Sequence, residues 1–138
     1  MITFNYETDF TLSNEQKTTT WIQSIIEGDG FKLGEINYVF CDDDYLYKIN
    51  VEFLNHDTYT DIISFDYSMG KTIFGEIYIS VDRVKENALN FNVTFEEELH
   101  RVIIHGVLHY LGNQDITDEE KTEMRNKENT CLNRLKTL

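Results

Sequence analysis

One short run near the C-terminus constrains the chain most: His105-Gly106-Val107-Leu108-His109-Tyr110-Leu111-Gly112-Asn113-Gln114-Asp115. His105 and His109 are four residues apart, so on a helix their side chains lie on one face. Gly112 is the residue type that ends a helix in the left-handed conformation, and a chain that turns there can carry Asp115 towards the two rings. Three protein ligands with one open position are typical of a catalytic metal site, because structural zinc sites are closed by four protein ligands.

Two histidines at this spacing can also be ordinary surface or core side chains that have hydrogen-bond partners and bind no metal. The run differs from the H-E-x-x-H motif of metallopeptidases because Gly106 stands where that motif has its glutamate. No general base is therefore visible within the run. Two imidazoles and one carboxylate suit zinc, but they also suit nickel, iron or manganese, and the same set serves non-haem iron oxygenases.

The length and composition predict one domain over residues 1–138. The chain has no proline, no low-complexity tract and no internal repeat. The N-terminus lacks the features of a signal peptide, and no apolar stretch approaches the ~20 residues that span a bilayer. Cys41 and Cys131 form no C-x-x-C pair, which is consistent with two reduced thiols. We therefore expect a cytoplasmic protein with no membrane partner.

The net charge of −13 argues against binding nucleic acid through broad electrostatic attraction, and no DNA partner is expected. The acidic excess is uneven, because residues 1–112 hold 19 acidic and 7 basic side chains, whereas residues 113–138 hold 6 and 5. A polyanion is therefore expected to approach the C-terminal segment. The candidates for phosphate contacts lie on its predicted helix: Arg125, Lys127, Arg134 and Lys136. Pairing of these cations with acidic residues of the same helix is the alternative, and we favour it.

Hydrophobic periodicity and capping residues predict nine elements. Strands are predicted over 2–6, 35–41, 60–67 and 73–80, and helices over 14–28, 43–53, 81–89, 95–111 and 118–135. The predicted N-caps are Ser13, one aspartate of 42–44, Ser80 or Asp82, Thr94 and Thr117. Only five residues separate the last two strands, so an antiparallel hairpin is expected. The order indicates an α+β fold with a small mixed sheet of about four strands, packed helices and the metal-binding helix in the C-terminal third.

Three blocks of the chain resemble known family motifs. Residues 60–65 read T-D-I-I-S-F, residues 75–80 read G-E-I-Y-I-S, and residues 105–112 read H-G-V-L-H-Y-L-G. They stand in the order of the T-D-V-L-S-F, G-D-I-x-I-S and H-G-x-L-H-L-x-G motifs of the YbeY family, bacterial endoribonucleases and rRNA maturation factors with a metal-dependent hydrolase fold. The likeness covers roughly residues 35–130.

This resemblance implies a zinc-dependent endoribonuclease that acts in rRNA maturation and ribosome quality control. One Zn²⁺ would activate water for attack on an RNA phosphodiester. The expected ligands are His105, His109 and Asp115, with Asp115 standing where the family has a third histidine. The implied partners are precursor rRNA and ribosomal components.

Other catalytic residues are harder to assign. The family has a cleft arginine before its T-D-V-L-S-F strand, and counting back without gaps places Leu54 there, with His56 as the nearest cationic candidate. Glu76 and Asp61 are the candidate general bases, although a capping or strand-end role is the alternative for each. Leu54 favours a second possibility, a metal-stabilised ribosome-assembly or RNA-binding module that does not cut. A metallopeptidase is a third, since a strand edge beside a metal could pair with an extended peptide.

His100 is not expected in the site. It precedes His105 by five residues, which places it about 140° away around a helix.

Overall fold

The computed structural model describes residues 1–55 and 59–138, so His56 lies outside the described residues. Strands and helices follow one another as the sequence predicts, and their bounds are β1 Ile2–Tyr6, α1 Glu15–Gly28, β2 Lys32–Cys41, α2 Asp43–Leu54, β3 Ile62–Asp66, β4 Thr72–Ser80, α3 Val81–Phe91, α4 Phe95–Tyr110 and α5 Asp118–Lys136. The prediction of an α+β fold is confirmed. No helix in the described ranges combines the length and the apolar character needed to cross a bilayer.

The four strands form one mixed sheet in the order β1-β2-β4-β3. β1 pairs with β2 and β2 pairs with β4 in parallel, whereas β3 pairs with β4 in antiparallel. The expected hairpin of the last two strands is therefore present. Because β3 is the edge strand next to β4, the residues that precede it lie at the border of the sheet.

The larger core lies on one face of the sheet, under α1, α4 and α5. The strands contribute alternate residues to it, as expected for a sheet with a buried face, and its largest fully buried side chains include Trp21, Ile22, Ile26, Ile36, Tyr38, Phe40, Ile77, Ile79 and Ile103. A smaller cluster lies on the other face, where Leu46 of α2 packs with Cys41 and Ile63. Side chains at even positions of β4, such as Glu76, face away from the larger core.

Most helix starts follow the predicted capping residues. Asp42, Ser80, Thr94 and Thr117 each accept a hydrogen bond from the backbone N–H three residues later. For α1 the prediction of Ser13 is wrong, because the N-cap is Asn14, whose side chain accepts from the N–H of Lys17. Serine and asparagine are nearly equivalent as N-caps. The residue types alone therefore could not show which of the adjacent Ser13 and Asn14 caps the helix.

Three contacts hold α4 against the sheet. The buried Tyr38 hydroxyl donates to the Ile103 carbonyl at 3.0 Å. Near the end of the helix, the Tyr110 hydroxyl lies 2.9 Å from the Phe65 carbonyl on β3 and 3.1 Å from the Glu76 carbonyl on β4. Gly75 makes room for this ring, since a Cβ at that position would overlap it. The helix is thereby fixed in both height and rotation.

Gly106 allows the same helix to approach closely at its middle. A Cβ at this position would lie 3.0 Å from Ile77 Cδ1 and 3.1 Å from Ile62 Cδ1. The residue after His105 therefore faces the sheet, and the histidine itself faces a different side of the helix.

The last helix is anchored to the first. The fully buried indole of Trp21 on α1 donates to the Cys131 carbonyl of α5 at 2.8 Å. Since α5 also packs beside α4, this hydrogen bond helps set the position of the α5 residues that reach the histidines.

Candidate metal centre

The helix that carries the two histidines ends as the sequence predicts. Gly112 adopts φ +97°, its N–H donates to the His109 carbonyl at 3.0 Å, and the N–H of Asn113 donates to the Leu108 carbonyl at 3.1 Å. These two bonds are the pair that defines a Schellman motif, with glycine in the left-handed position. The chain turns back at this point and brings Asp115 towards the helix end.

The structure brings the three predicted ligands together. The Nε2 atoms of His105 and His109 are 3.0 Å apart, and Asp115 Oδ2 lies 3.3 Å from the first and 3.5 Å from the second. Donor atoms on a tetrahedral zinc ion with bonds of ~2.0–2.1 Å are separated by about 3.3 Å. This triangle of one oxygen and two nitrogens therefore fits a single ion, and it leaves a coordination position free for water or substrate.

The three side chains remain partly accessible. The exposed fractions are 22% for His105, 32% for His109 and 36% for Asp115. In the described part of the chain, this is the one group of histidine, cysteine and acidic side chains close enough to share an ion. An ion held there would be open to solvent on one side and bordered by protein on the other.

A buried carboxylate supports the first histidine from behind. Glu128 Oε2 lies 2.7 Å from His105 Nδ1, and the other oxygen of Glu128 accepts from Arg101 Nη1 at 2.9 Å. Arg101 also donates to Asn129 at 2.8 Å. When Nδ1 donates to a carboxylate, Nε2 is left as the nitrogen that can bind an ion, and the ring is held in one orientation.

The pKa values of this pair follow from the same contacts. Burial alone lowers the pKa of His105, but the hydrogen bond to Glu128 and the nearby carboxylates raise it overall. Burial alone raises the pKa of Glu128, whereas the hydrogen bonds from His105 and Arg101 lower it overall. Both directions favour a charged Glu128 facing a protonated Nδ1.

The two candidate general bases lie in different places. Asp61, at the start of the edge strand, lines a cavity that also contains His105. Burial raises the pKa of Asp61, and the nearby His105 partly opposes that effect. Glu76 lies on the sheet face turned away from α4, where it accepts a hydrogen bond from the Tyr78 hydroxyl at 3.1 Å. Asp61 therefore shares a cavity with His105, and Glu76 does not.

The residues considered for a cationic role lie on two different helices: Leu54, at the position of the family arginine, on α2, and Lys127 and Arg134 on α5. Leu54 is the exposed last residue of α2 and carries no charge. The local pairing favoured from the sequence is not what Lys127 and Arg134 do: Lys127 donates to Asn113, and Arg134 donates to the Ser24 carbonyl at 3.4 Å.

His100 lies outside the group, as expected from its position on α4. Its ring packs edge-on against Trp21, with 5.8 Å between the ring centroids.

Glu128 and Arg101 are the parts of the site that sequence reasoning missed. Glu128 follows His105 by 23 residues. No local spacing connects them, and on the sequence Glu128 resembles any other acidic residue of a charged helix. The one available signal is its position among apolar residues, since Met124, Cys131 and Leu132 mark a buried stripe on α5 that includes Glu128.

Comparison with known proteins identifies relatives over nearly the whole chain. The family model described as Endoribonuclease YbeY matches residues 3–136. A protein named Endoribonuclease YbeY from Flavobacterium johnsoniae is 59% identical over 128 residues, which cover 93% of this chain and 92% of the relative. One with the same name from Bacteroides thetaiotaomicron is 43% identical over 118 residues, which cover 86% of both chains.

A solved structure shares the fold. The solution structure of TM1509 from Thermotoga maritima has a TM-score of 0.69 and 28% sequence identity, and the match covers 98% of this chain and 89% of that one.

Proposed function

The chain belongs to the Endoribonuclease YbeY family, and on that premise we propose that it is a zinc-dependent endoribonuclease that acts on precursor rRNA. The observation that carries this proposal is the triangle formed by His105 Nε2, His109 Nε2 and Asp115 Oδ2, with sides of 3.0, 3.3 and 3.5 Å. Relatives named for the same activity supply the reaction class, and the donor triangle supplies a place for the ion. Residues 1–138 would act as one catalytic domain.

The residues of the centre would hold the ion, orient one of its ligands or act as a base. His105, His109 and Asp115 would hold the ion, and Glu128 would keep the His105 ring in the tautomer that presents Nε2. A bound zinc ion would supply Lewis-acid chemistry, by polarising a phosphoryl oxygen and lowering the pKa of water at the open position. Asp61 is the better placed of the two candidate bases, because it lines the same cavity as His105.

The charge distribution supports an RNA strand that approaches beside α5. The protein is strongly acidic overall, so phosphates would be repelled by most of its surface. Arg101 and Arg125 both line the cavity that contains His105. Asp61, Glu98 and Glu128 line the same cavity, and Arg101 is paired with Glu128. Arg125, together with the ion, would therefore offset the repulsion where the strand is cut. We place this activity in rRNA maturation and ribosome quality control in the cytoplasm, with ribosomal components as partners.

A metallopeptidase is less well supported. In that motif the catalytic glutamate directly follows the first histidine. Here that position is Gly106, where even a Cβ would lie 3.0 Å from Ile77 Cδ1 and 3.1 Å from Ile62 Cδ1, so a side chain there would have to displace both isoleucines.

The direct test incubates zinc-loaded protein, purified without chelators or a His tag, with a structured rRNA fragment and separately with an unfolded protein substrate. We expect RNA fragments from the parent protein and from Gln114→Ala, which changes an exposed neighbour of the ligands. We expect none from His105→Ala. Metal analysis of the same preparations should give one zinc per chain in the first two.

Each other outcome assigns a different function. RNA binding without fragments would indicate the module that does not cut, and peptide products would indicate a peptidase. Equal fragment yields from the parent and from His105→Ala would exclude this centre as the source of the activity.

A further inference from the structure

A second feature lies directly beside the candidate metal centre. A cavity of about 270 Å³ opens between α3, α4, α5 and the start of the edge strand, and His105 forms part of its wall. Small-molecule sites typically measure ~300–1,000 Å³, so this volume suits one base or one nucleotide rather than a longer ligand. The residues that matter for its chemistry are Asp61, Ile62, Phe91, Glu98, Val102 and Arg125.

Glu98 is the least expected of these. It lies on α4, seven residues before His105 and therefore on nearly the same face of the helix, and it is only 4% exposed. Within the described part of the chain, its carboxylate makes no hydrogen bond and no ion pair. Burial raises its pKa and the charge of Asp61 adds to that effect, whereas the charges of Arg101 and Arg125 oppose it. Its oxygens are not among the fully buried side-chain atoms that lack a partner in the described residues, so solvent reaches them through the cavity. A ligand with N–H groups would take the place of that water.

Arg125 places a positive charge at the rim of the cavity, opposite in sign to the Glu98 carboxylate inside it. It is exposed on α5, and among residues 1–55 and 59–138 it makes no hydrogen bond or ion pair. Arg101, in contrast, is already engaged by Glu128 and Asn129. The cavity thus has the carboxylates of Glu98 and Asp61 inside, the latter accepting from the Asn87 amide at 3.4 Å. The Arg125 guanidinium, whose charge acts on Glu98, lies at the rim, and Ile62, Val102 and Phe91 add apolar surface.

A second metal ion does not fit this arrangement. Among the described residues, the one group of metal-ligating side chains that converges on a single point is His105, His109 and Asp115. A ligand that matches this lining brings N–H donors at one end, apolar faces, and a negative charge at the other end.

An RNA nucleotide has this combination of groups. Proteins read single-stranded RNA by stacking its bases on side chains and by bonding their Watson–Crick edges. Guanine offers two adjacent N–H donors on that edge, which a carboxylate can accept together. Uracil offers one N–H between two carbonyl oxygens, and these would be repelled by a carboxylate.

We propose that this cavity is a base-selective subsite for the nucleotide next to the cleaved bond, that it takes guanine in preference to uracil, and that Glu98 accepts from the base while Arg125 contacts its phosphate. The assignment to a cleaved strand rests on the proposed endoribonuclease function. The preference itself is a property of the cavity and can be measured without cleavage.

The experiment measures binding of guanosine and uridine 5′-monophosphates to the zinc-loaded protein by calorimetry and by NMR. Any contact between phosphate and zinc is common to both nucleotides and cancels in the ratio of their affinities. We expect guanosine monophosphate to bind about 10-fold more tightly, the discrimination expected for one bidentate pair. Glu98→Gln should bring the ratio close to 1, because its amide replaces one acceptor with a donor. Arg125→Gln should weaken both nucleotides by a similar factor.

Glu96→Gln is the matched control, since it makes the same change at an exposed position of α4 outside the cavity. It should leave both affinities unchanged. Amide shifts in the parent protein, located on α4 and α5 around the cavity, provide a measurement that needs no substitution. Equal affinities for the two nucleotides in the parent, an unchanged ratio in Glu98→Gln, or shifts located elsewhere would overturn the proposal.

Failure of this proposal is distinct from failure of the proposed function. RNA that is cut by the parent and not by His105→Ala, but without a guanine preference next to the cleaved bond and without selective nucleotide binding, would remove the subsite and leave the nuclease. Selective binding of guanosine monophosphate by a protein that cuts no RNA would remove the nuclease and leave a nucleotide-binding cavity.

Discussion

His105 Nδ1 and Glu128 Oε2 are 2.7 Å apart, although the two residues lie on different helices. The contact is nearly buried on the Glu128 side and partly exposed on the His105 side. It connects the donor triangle to Arg101, whose guanidinium is bound to the other oxygen of the same carboxylate. The orientation of the His105 ring therefore depends on the packing of α5 against α4.

Glu128→Ala should weaken zinc binding by about 10–100-fold, the range found when a carboxylate behind a ligating histidine is removed. Glu128→Gln should lose less zinc affinity than Glu128→Ala, because its amide oxygen can still accept a hydrogen bond from His105 Nδ1. Competition with a chelator of known affinity measures both constants in folded protein. Glu123→Gln, an exposed position on the same helix, is the matched control. An Ala variant with parental affinity would mean that the ring is held by packing alone.

Asp115→Asn should reduce zinc affinity by at least about 100-fold, more than the loss of an outer partner. The amide keeps the size of the side chain but removes the negative charge that would attract the ion. The neighbouring Gln114→Ala should retain parental affinity, because Gln114 is exposed and outside the donor triangle. If Asp115→Asn binds zinc as tightly as the parent, the ion is held by the two histidines with some other third ligand.

Gly75→Ala should destabilise the protein by about 3 kcal/mol, since the added methyl group overlaps the Tyr110 ring and the hydrogen bonds of its hydroxyl would be disturbed. Tyr110→Leu should remove that conflict, so the methyl group should cost clearly less in that background. Chemical denaturation of the four proteins of this cycle gives the coupling between the two positions. Equal costs in both backgrounds would show that the ring is not the obstacle.

Acidification should destabilise the metal-free parent more than His100→Gln. Burial lowers the pKa of His100 below its ordinary value of 6.5, while Glu96 opposes and Lys17 reinforces that shift. The unfolded chain therefore takes up a proton at a higher pH than the folded chain does, and stability falls as the pH drops through 6.5. Melting temperatures measured between pH 8 and pH 5 should therefore fall further for the parent than for His100→Gln. Parallel curves would show that His100 does not titrate differently in the two states.

The parts of the site that the sequence predicts are local. Gly112 and Thr117 act within a few residues of themselves, so the turn after α4 and the start of α5 follow from residue type. His105, His109 and Asp115 lie within eleven residues, so one helix and one turn are enough to bring them together.

The parts that could not be predicted depend on packing between distant segments. Glu128 meets His105 only because α5 folds back along α4, and that path is fixed in part by the hydrogen bond between Trp21 and the Cys131 carbonyl. The placement of β2 between β1 and β4 is likewise a pairing of strands far apart in the chain. Capping and periodicity contain no information about either.

The connection between the two helices is held at both ends. The turn at Gly112 fixes where it leaves α4, and the reciprocal hydrogen bonds of Thr117 and Glu120 fix where α5 begins. Adding or deleting one residue within α5 before Glu128 would rotate that side chain by about 100° around the helix axis and take it away from His105. The number of residues between His105 and Glu128 is thus constrained by the geometry of the two helices. Relatives that keep this centre should tolerate substitutions in this interval far more readily than insertions or deletions.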